Sequence, residues 1–171
     1  MDDLKKYIRN IPDFPKKGIL FRDITTLIGN KGKFKEVIDG LADRYADKKI
    51  DAVLAVESRG FIFGGALAYK LGAGFVPVRK KGKLPHKTYK AAYSLEYGED
   101  ILEAHRDAIK PGARVLLIDD LLATGGTLGA VIDIVKKLKG EIAEIAFIIE
   151  LKDLKGRSKL SDFPVYSMIQ Y

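Results

Sequence analysis

The chain has 171 residues, a net charge of +7 from 30 Lys and Arg against 23 Asp and Glu, 47% hydrophobic and 31% charged residues, and no cysteine. That length predicts a single domain burying about 70% of the surface its unfolded form exposes, and the missing cysteine excludes disulfides, thiolate metal sites and a cysteine nucleophile. No apolar run of about eighteen residues and no signal-peptide core is present, so a cytoplasmic location without a membrane partner is expected. The positive charge points to a polyanion, either a phosphorylated small molecule or nucleic acid, above a background of solvated surface lysines.

In chain order, residues 2–10 suit a short helix with Leu4 and Ile8 on one side. Residues 11–24 carry two prolines and a glycine that forbid regular structure until about Ile19. Phe14, Leu20 and Phe21 must there pack on the core or on a ligand. Residues 34–45 repeat apolar side chains at helical spacing (Phe34, Val37, Ile38, Leu41, Tyr45). Residues 51–57 read as a buried strand ending in Glu57, and Ser58-Arg59-Gly60 turns it into a small-residue helix closed by Gly72. Residues 74–79 form a third strand, in which Pro77 argues for an edge position or an early stop. Residues 80–98 are long for a connection, basic at first and then alternating from Tyr89 to Tyr97, which predicts a mobile, hairpin-like flap. Neither histidine has metal-ligand spacing; His86 reads as a loop side chain and His105 as an exposed helix position.

After Pro111-Gly112 comes the stretch that carries the most chemistry, Val115-Leu116-Leu117-Ile118-Asp119-Asp120-Leu121-Leu122-Ala123-Thr124-Gly125-Gly126-Thr127. Its aliphatic run reads as a strand of a parallel sheet, its glycines let backbone N–H groups approach a ligand, and helical spacing resumes at Leu128. Carboxylates suit vicinal hydroxyls, and N–H groups at a helix N-terminus suit a phosphate, so the stretch fits a sugar phosphate. Two further strands are expected at 142–151 and 165–169. Alternating strands and helices predict an α/β fold with a mainly parallel central sheet flanked by helices. In such sheets ligands sit beyond the carboxyl ends of the strands, where the Glu57 turn and the Asp119-Asp120 loop both lie. No Gly-Lys-Ser/Thr follows the glycines, the dinucleotide fingerprint is missing, and Val56-Glu57-Ser58-Arg59-Gly60 lacks the first glycine of a nucleophile elbow.

The acidic pair followed by Ala123-Thr124-Gly125-Gly126-Thr127 resembles the phosphoribosyl pyrophosphate signature of the type I phosphoribosyltransferases. F-P-K-K-G-I-L-F-R-D-I at 14–24, E-S-R-G-F at 57–61, and R-K-K-G-K-L-P with Y-S-L-E-Y-G across 79–98 resemble the adenine branch of that family. Ala123 stands where enzymes for 6-oxopurines carry an aspartate, and an orotate enzyme should lack the 11–24 and 93–98 motifs. The resemblance implies one domain over residues 1–171, with a hood over about 1–35 and a flap over 80–98. It implies transfer of a phosphoribosyl group to adenine, giving AMP and pyrophosphate, with Mg²⁺ carried by the substrate and a homodimer as the assembly.

The same resemblance assigns roles. Asp119 and Asp120 hold the ribose hydroxyls, directly or through metal-bound water, and Ala123, Thr124, Gly125, Gly126 and Thr127 hold the 5′-phosphate. Glu57, Ser58 and Arg59 form the pyrophosphate loop, where the family often has a cis bond. Leu20, Phe21 and Arg22 frame adenine; Arg79, Lys80, Lys83 and His86 flank the pyrophosphate, within one chain or across the dimer. Glu96 is the acid–base group, on a flap whose closure excludes water. A nucleic-acid-binding regulator on the same fold is not expected, since the residues before the first strand carry proline and glycine punctuation and no helix-turn-helix.

Overall fold

The computed structural model of the chain describes residues 2–95 and 98–171. The described residues form a seven-stranded sheet with helices on both faces and a separate two-stranded sheet at one end. A 3-10 turn (Asp2–Tyr7) leads into β1 (Arg9–Pro12) and β2 (Leu20–Asp23), which pair antiparallel from Arg9↔Asp23 to Pro12↔Leu20. The helix expected over 2–10 is thus a 3-10 turn that gives way to β1 at Arg9, and the irregular stretch expected up to about Ile19 holds for 13–19 but not for Ile11 and Pro12, which lie in β1. The two ends of the hairpin are clamped by Arg9 on Asp23 at 2.6 Å, a long-range contact that no local pattern announces. The short α1 (Thr25–Gly29) precedes α2 (Lys31–Tyr45), whose N-cap Asn30 accepts the Gly32 and Lys33 N–H groups at 3.1 Å.

The main sheet contains β3 (Ala52–Val56), β4 (Gly74–Lys80), β5 (Thr88–Leu95), β6 (Gly98–His105), β7 (Arg114–Leu122), β8 (Glu141–Glu150) and β9 (Val165–Gln170), in the order β5-β6-β4-β3-β7-β8-β9. From β4 through β3, β7 and β8 to β9 the pairing is parallel, and the β4–β6 and β5–β6 pairs are antiparallel. β4 is therefore interior in the strand order, yet it meets β6 only at Arg79 and Lys80. Pro77, which lacks an N–H, sits where that flank is unpaired, so its edge character is local to the strand. β6 replaces the exposed helix expected around His105, which instead pairs with Thr88 at the strand end.

Because successive strand residues point to opposite faces, the apolar run of β7 feeds two cores. Val115 and Leu117 join α4 (Gly126–Leu138) on one face, and Leu116 and Ile118 join α2 and α3 (Gly60–Leu71) on the other. α3 lies close on the sheet through Gly60 and Gly64: a Cβ at Gly60 would stand 2.9 Å from Asp119 Oδ1, and one at Gly64 2.5 Å from the Ala55 Cβ. That close approach brings the start of α3 against the end of β7. Among the described residues no helix is long and apolar enough to cross a membrane.

Candidate active site

The carboxyl ends of β3, β4 and β7 open into a cleft of about 470 Å³. A second cavity, of about 410 Å³ between Asp51 and Ala113, lies at the opposite end of the strands and gathers no chemical constellation. The cleft brings together Glu57, Ser58, Arg59, Lys80, Asp119, Asp120, Ala123 and Thr127, residues from three separated parts of the sequence. Two helices begin at its walls, α3 at Gly60 and α4 at Gly126. Neither has a side-chain cap or an acidic residue in its first turn, so their positive dipole ends face the cleft without a side-chain anion, although in α3 the Phe61 and Ile62 N–H groups already donate to the Ser58 and Arg59 carbonyls at 3.2 Å. Gly125, at φ +79°, makes the turn into α4.

Between the two helix ends stands the acidic pair. Asp120 is 6% exposed, and Arg59 Nε donates to its Oδ2 at 2.7 Å. Asp119 keeps partial exposure to the cleft, and its Oδ1 accepts the Asp120 N–H at 2.9 Å. Burial, then the charge of Asp120, pushes the Asp119 carboxyl well above the usual carboxylate range. Burial raises Asp120 as well, with Arg59 pulling the other way.

The Glu57–Ser58 peptide bond is cis. Glu57 accepts Arg79 Nε at 3.1 Å and the Lys80 N–H at 3.0 Å, and is ion-paired with Lys83. Burial works against its charge, but Lys83, the Lys80 N–H and Arg79 together hold its carboxyl below the usual range. Arg79 and Lys83 thus face the base of the turn and stay off the cleft lining, while Lys80 reaches the cleft and pairs with Asp100 at 2.8 Å. Tyr93, whose hydroxyl donates to Asp100 at 3.2 Å, and Leu102 also line the cleft. Both were missed as site residues; Tyr93 opens the Y-S-L-E-Y-G motif, which was the available signal.

The remaining assignments fall farther out. Phe21 stands with its ring 5.4 Å from the Arg59 guanidinium and edge-on to Phe14, at the hood side of Arg59. Leu20 is exposed, and Arg22 turns to Asn10 and to the Tyr171 ring, 3.8 Å away. Thr124 is exposed, while Gly125 is buried against Gly156. His86 lies on an outer groove with Tyr89 and Arg106, near His105. Glu96 lies outside the described residues.

Among the described residues no cluster of three or more His, Cys, Asp or Glu could hold a metal alone. The acidic pair supplies hard oxygen donors from one side only, which fits a Mg²⁺ that arrives on phosphate oxygens and is completed by water.

Residues 25–170 match the phosphoribosyl transferase domain family. An adenine phosphoribosyltransferase from Chloroflexus aurantiacus is 60% identical over 169 residues, 99% of this chain and 98% of that protein. The crystal structure of adenine phosphoribosyltransferase from Thermoanaerobacter pseudethanolicus superposes with a TM-score of 0.96 at 49% identity, covering 99% of both chains. The Saccharomyces cerevisiae enzyme, complexed with an imino-altritol bisphosphate and adenine, gives 0.93 at 44% identity over 98% of this chain and 97% of that one.

Proposed function

The chain belongs to the phosphoribosyl transferase family, and we propose that its cleft carries out the adenine reaction as follows. The protein transfers the phosphoribosyl group of phosphoribosyl pyrophosphate to adenine, giving AMP and pyrophosphate, a step of purine salvage. The observation that carries this reading is the acidic pair flanked by two uncapped helix N-termini in one cleft. The substrate has the matching order: a phosphate, a diol, and a pyrophosphate.

In this arrangement the amides of residues 123–127 and the hydroxyls of Thr124 and Thr127 take the 5′-phosphate, and Asp119 and Asp120 take the ribose hydroxyls. The Glu57-Ser58-Arg59 turn and the start of α3 receive the pyrophosphate, with Lys80 at the cleft and Arg79 and Lys83 behind the turn. Adenine lies on the hood side, where Phe21 and Arg59 approach each other, with Leu20 at the rim. As the C1′–O bond to pyrophosphate breaks, positive charge grows at C1′ beside two carboxylates in a water-poor site, a stabilisation usually among the largest catalytic contributions. The N9–C1′ bond forms, and the proton released from adenine goes to Glu96. Mg²⁺ on the substrate would neutralise charge on the leaving pyrophosphate.

A homodimer belongs to the same proposal. It is supported by Ile62 and Tyr69, seven residues apart on α3, and by Phe75 of β4, all exposed. So does a cytoplasmic location, in keeping with a cysteine-free, charge-rich chain.

The test is to incubate the protein with Mg²⁺, phosphoribosyl pyrophosphate and each nucleobase, and to separate the nucleotides by chromatography. AMP from adenine is expected; product from orotate or hypoxanthine alone would overturn the substrate, and no product from any base would favour a sensing role. Glu96→Gln should lower kcat more than it changes the KM for adenine, and the reverse pattern removes Glu96 from proton transfer.

A further inference from the structure

The segment after β8 contributes no residue to the cleft lining, yet it abuts the underside of residues 123–125. Gly156 is buried there. A Cβ on it would overlap the Ala123 carbonyl oxygen and stand 2.9 Å from Leu122 Cδ1, and a Cβ on Gly125 would stand 2.5 Å from the Gly156 carbonyl oxygen. Two backbones are thus in van der Waals contact with no side chain between them, directly beneath the turn into α4.

What holds Gly156 in place is the next residue. Arg157 donates Nε to Glu150 Oε1 at 3.0 Å and Nη2 to Oε2 at 2.5 Å, Nη1 to the Val165 carbonyl at 2.7 Å, and Nη2 to Ser167 Oγ at 3.2 Å. Glu150 is 5% exposed and is the register partner of Leu122, the last residue of β7. The Leu151 N–H donates to the Leu122 carbonyl at 2.9 Å. Before Gly156, Lys155 adopts φ +52°, which turns the chain back toward the loop. One guanidinium therefore ties β8, β9 and the Gly156 turn into a unit whose side-chain-free backbone is the floor of residues 123–125.

We propose that Arg157 is a positioning residue and Gly156 a spacer for the phosphate loop. Together they set the height of the loop amides, and so the affinity for ligands that carry the ribose 5′-phosphate. The inference rests on the functional reading above. It predicts a selectivity that a general stabilising role does not: affinity for AMP and phosphoribosyl pyrophosphate depends on this buttress, while affinity for adenosine, adenine and pyrophosphate does not.

The experiment measures Kd for AMP and for adenosine by calorimetry, with KM values in both reaction directions, for wild type, Gly156→Ala and Arg157→Met combined with Glu150→Gln. The double variant removes the clamp without leaving a buried carboxylate unpaired, so it stays folded where Arg157→Met alone would be at risk. Roughly tenfold weaker AMP binding is expected in both variants, with adenosine within about twofold, because small displacements of phosphate-binding amides are costly. Loss of AMP and adenosine affinity in equal proportion, or unchanged AMP affinity in Gly156→Ala, overturns the proposal. Wild type that forms no AMP from adenine overturns the functional reading instead, a separate outcome of the same assays.

Discussion

Arg59 and Asp120 are joined at 2.7 Å across the floor of the cleft, so the cation of the turn after β3 and an acid of β7 form one unit. The pairing opposes the desolvation of Asp120, which is 6% exposed. Arg59→Met should leave that carboxylate uncompensated and raise its pKa further. The expected result is a fall in kcat of more than about tenfold with the acidic limb of the pH–rate profile moved upward, and Arg59→Lys recovering part of both. A uniform drop in kcat with no movement of the limb would mean that Arg59 acts on substrate alone.

The acidic pair should be a stability liability. The folded-state pKa of Asp119 is raised by burial and by Asp120. The native state therefore binds its proton more tightly than the unfolded chain, and stability falls as pH rises from the usual carboxylate range through the raised value. The penalty is therefore larger at pH 7 than near pH 4. Asp119→Asn, whose Oδ1 can still accept the Asp120 N–H, should raise Tm at pH 7 by about 2–4 °C, on the order of 1 kcal/mol, and give little gain near pH 4. Turnover should fall by at least about a hundredfold. A lower Tm at pH 7, or retained activity, sinks this account.

The sites that sequence alone revealed are those where a local pattern and its chemistry coincide. The β7 run, its two aspartates and the glycine turn are contiguous, and so were readable as strand, acid and amide loop together. β1 and β2 were not, because Pro12 and Pro15 mask a hairpin whose closing contact, Arg9 to Asp23, spans fourteen residues. β6 escaped for a related reason: Asp100 shares the face of Leu102 and Ala104, which leaves too short an apolar alternation to read, and Glu103 on the other face is 2% exposed and satisfied by a distant loop. The Gly156 buttress acts through backbone contact and leaves no side-chain signature at all.

The hood hairpin should respond to acid. Asp23, which accepts the Thr25 N–H at 2.9 Å and the Arg9 guanidinium, has its carboxyl lowered to about 2 by the Thr25 N–H first and Arg9 next. A depressed carboxylate contributes stability that is complete above its unfolded pKa, about 4, and is lost as pH falls toward 2. Since the Arg9 side chain is 58% exposed, solvent screening limits the contribution to about 1 kcal/mol. The amide-exchange protection of residues 9–11 and 20–23, taken relative to their intrinsic rates, should fall between about pH 4 and 2, ahead of that of the β7 amides, and Asp23→Asn should show the lowered protection already at pH 6. Simultaneous release of both sets in wild type would mean that the hood unfolds only with the whole domain.

Glu103 should set the position of the basic loop. Its Oε1 accepts the Gly82 N–H at 2.8 Å and the Leu84 N–H at 3.3 Å, its Oε2 accepts from the Thr88 hydroxyl at 3.1 Å, and Lys90 lies 3.7 Å away. Burial alone would raise its pKa, but Thr88 and the two N–H groups outweigh it and keep the carboxylate charged. The loop so held carries Lys80 and Lys83 on either side of Gly82. Glu103→Ala leaves two loop amides without their acceptor, a loss of about 2 kcal/mol and so roughly 4–8 °C in Tm. Glu103→Gln retains one acceptor oxygen and should lose about half as much. If the loop meets the leaving group, the KM for pyrophosphate in the reverse reaction rises roughly tenfold in Glu103→Ala while the KM for AMP stays within about twofold. Equal movement of both constants would reduce Glu103 to a purely structural anchor of the β5–β6 hairpin.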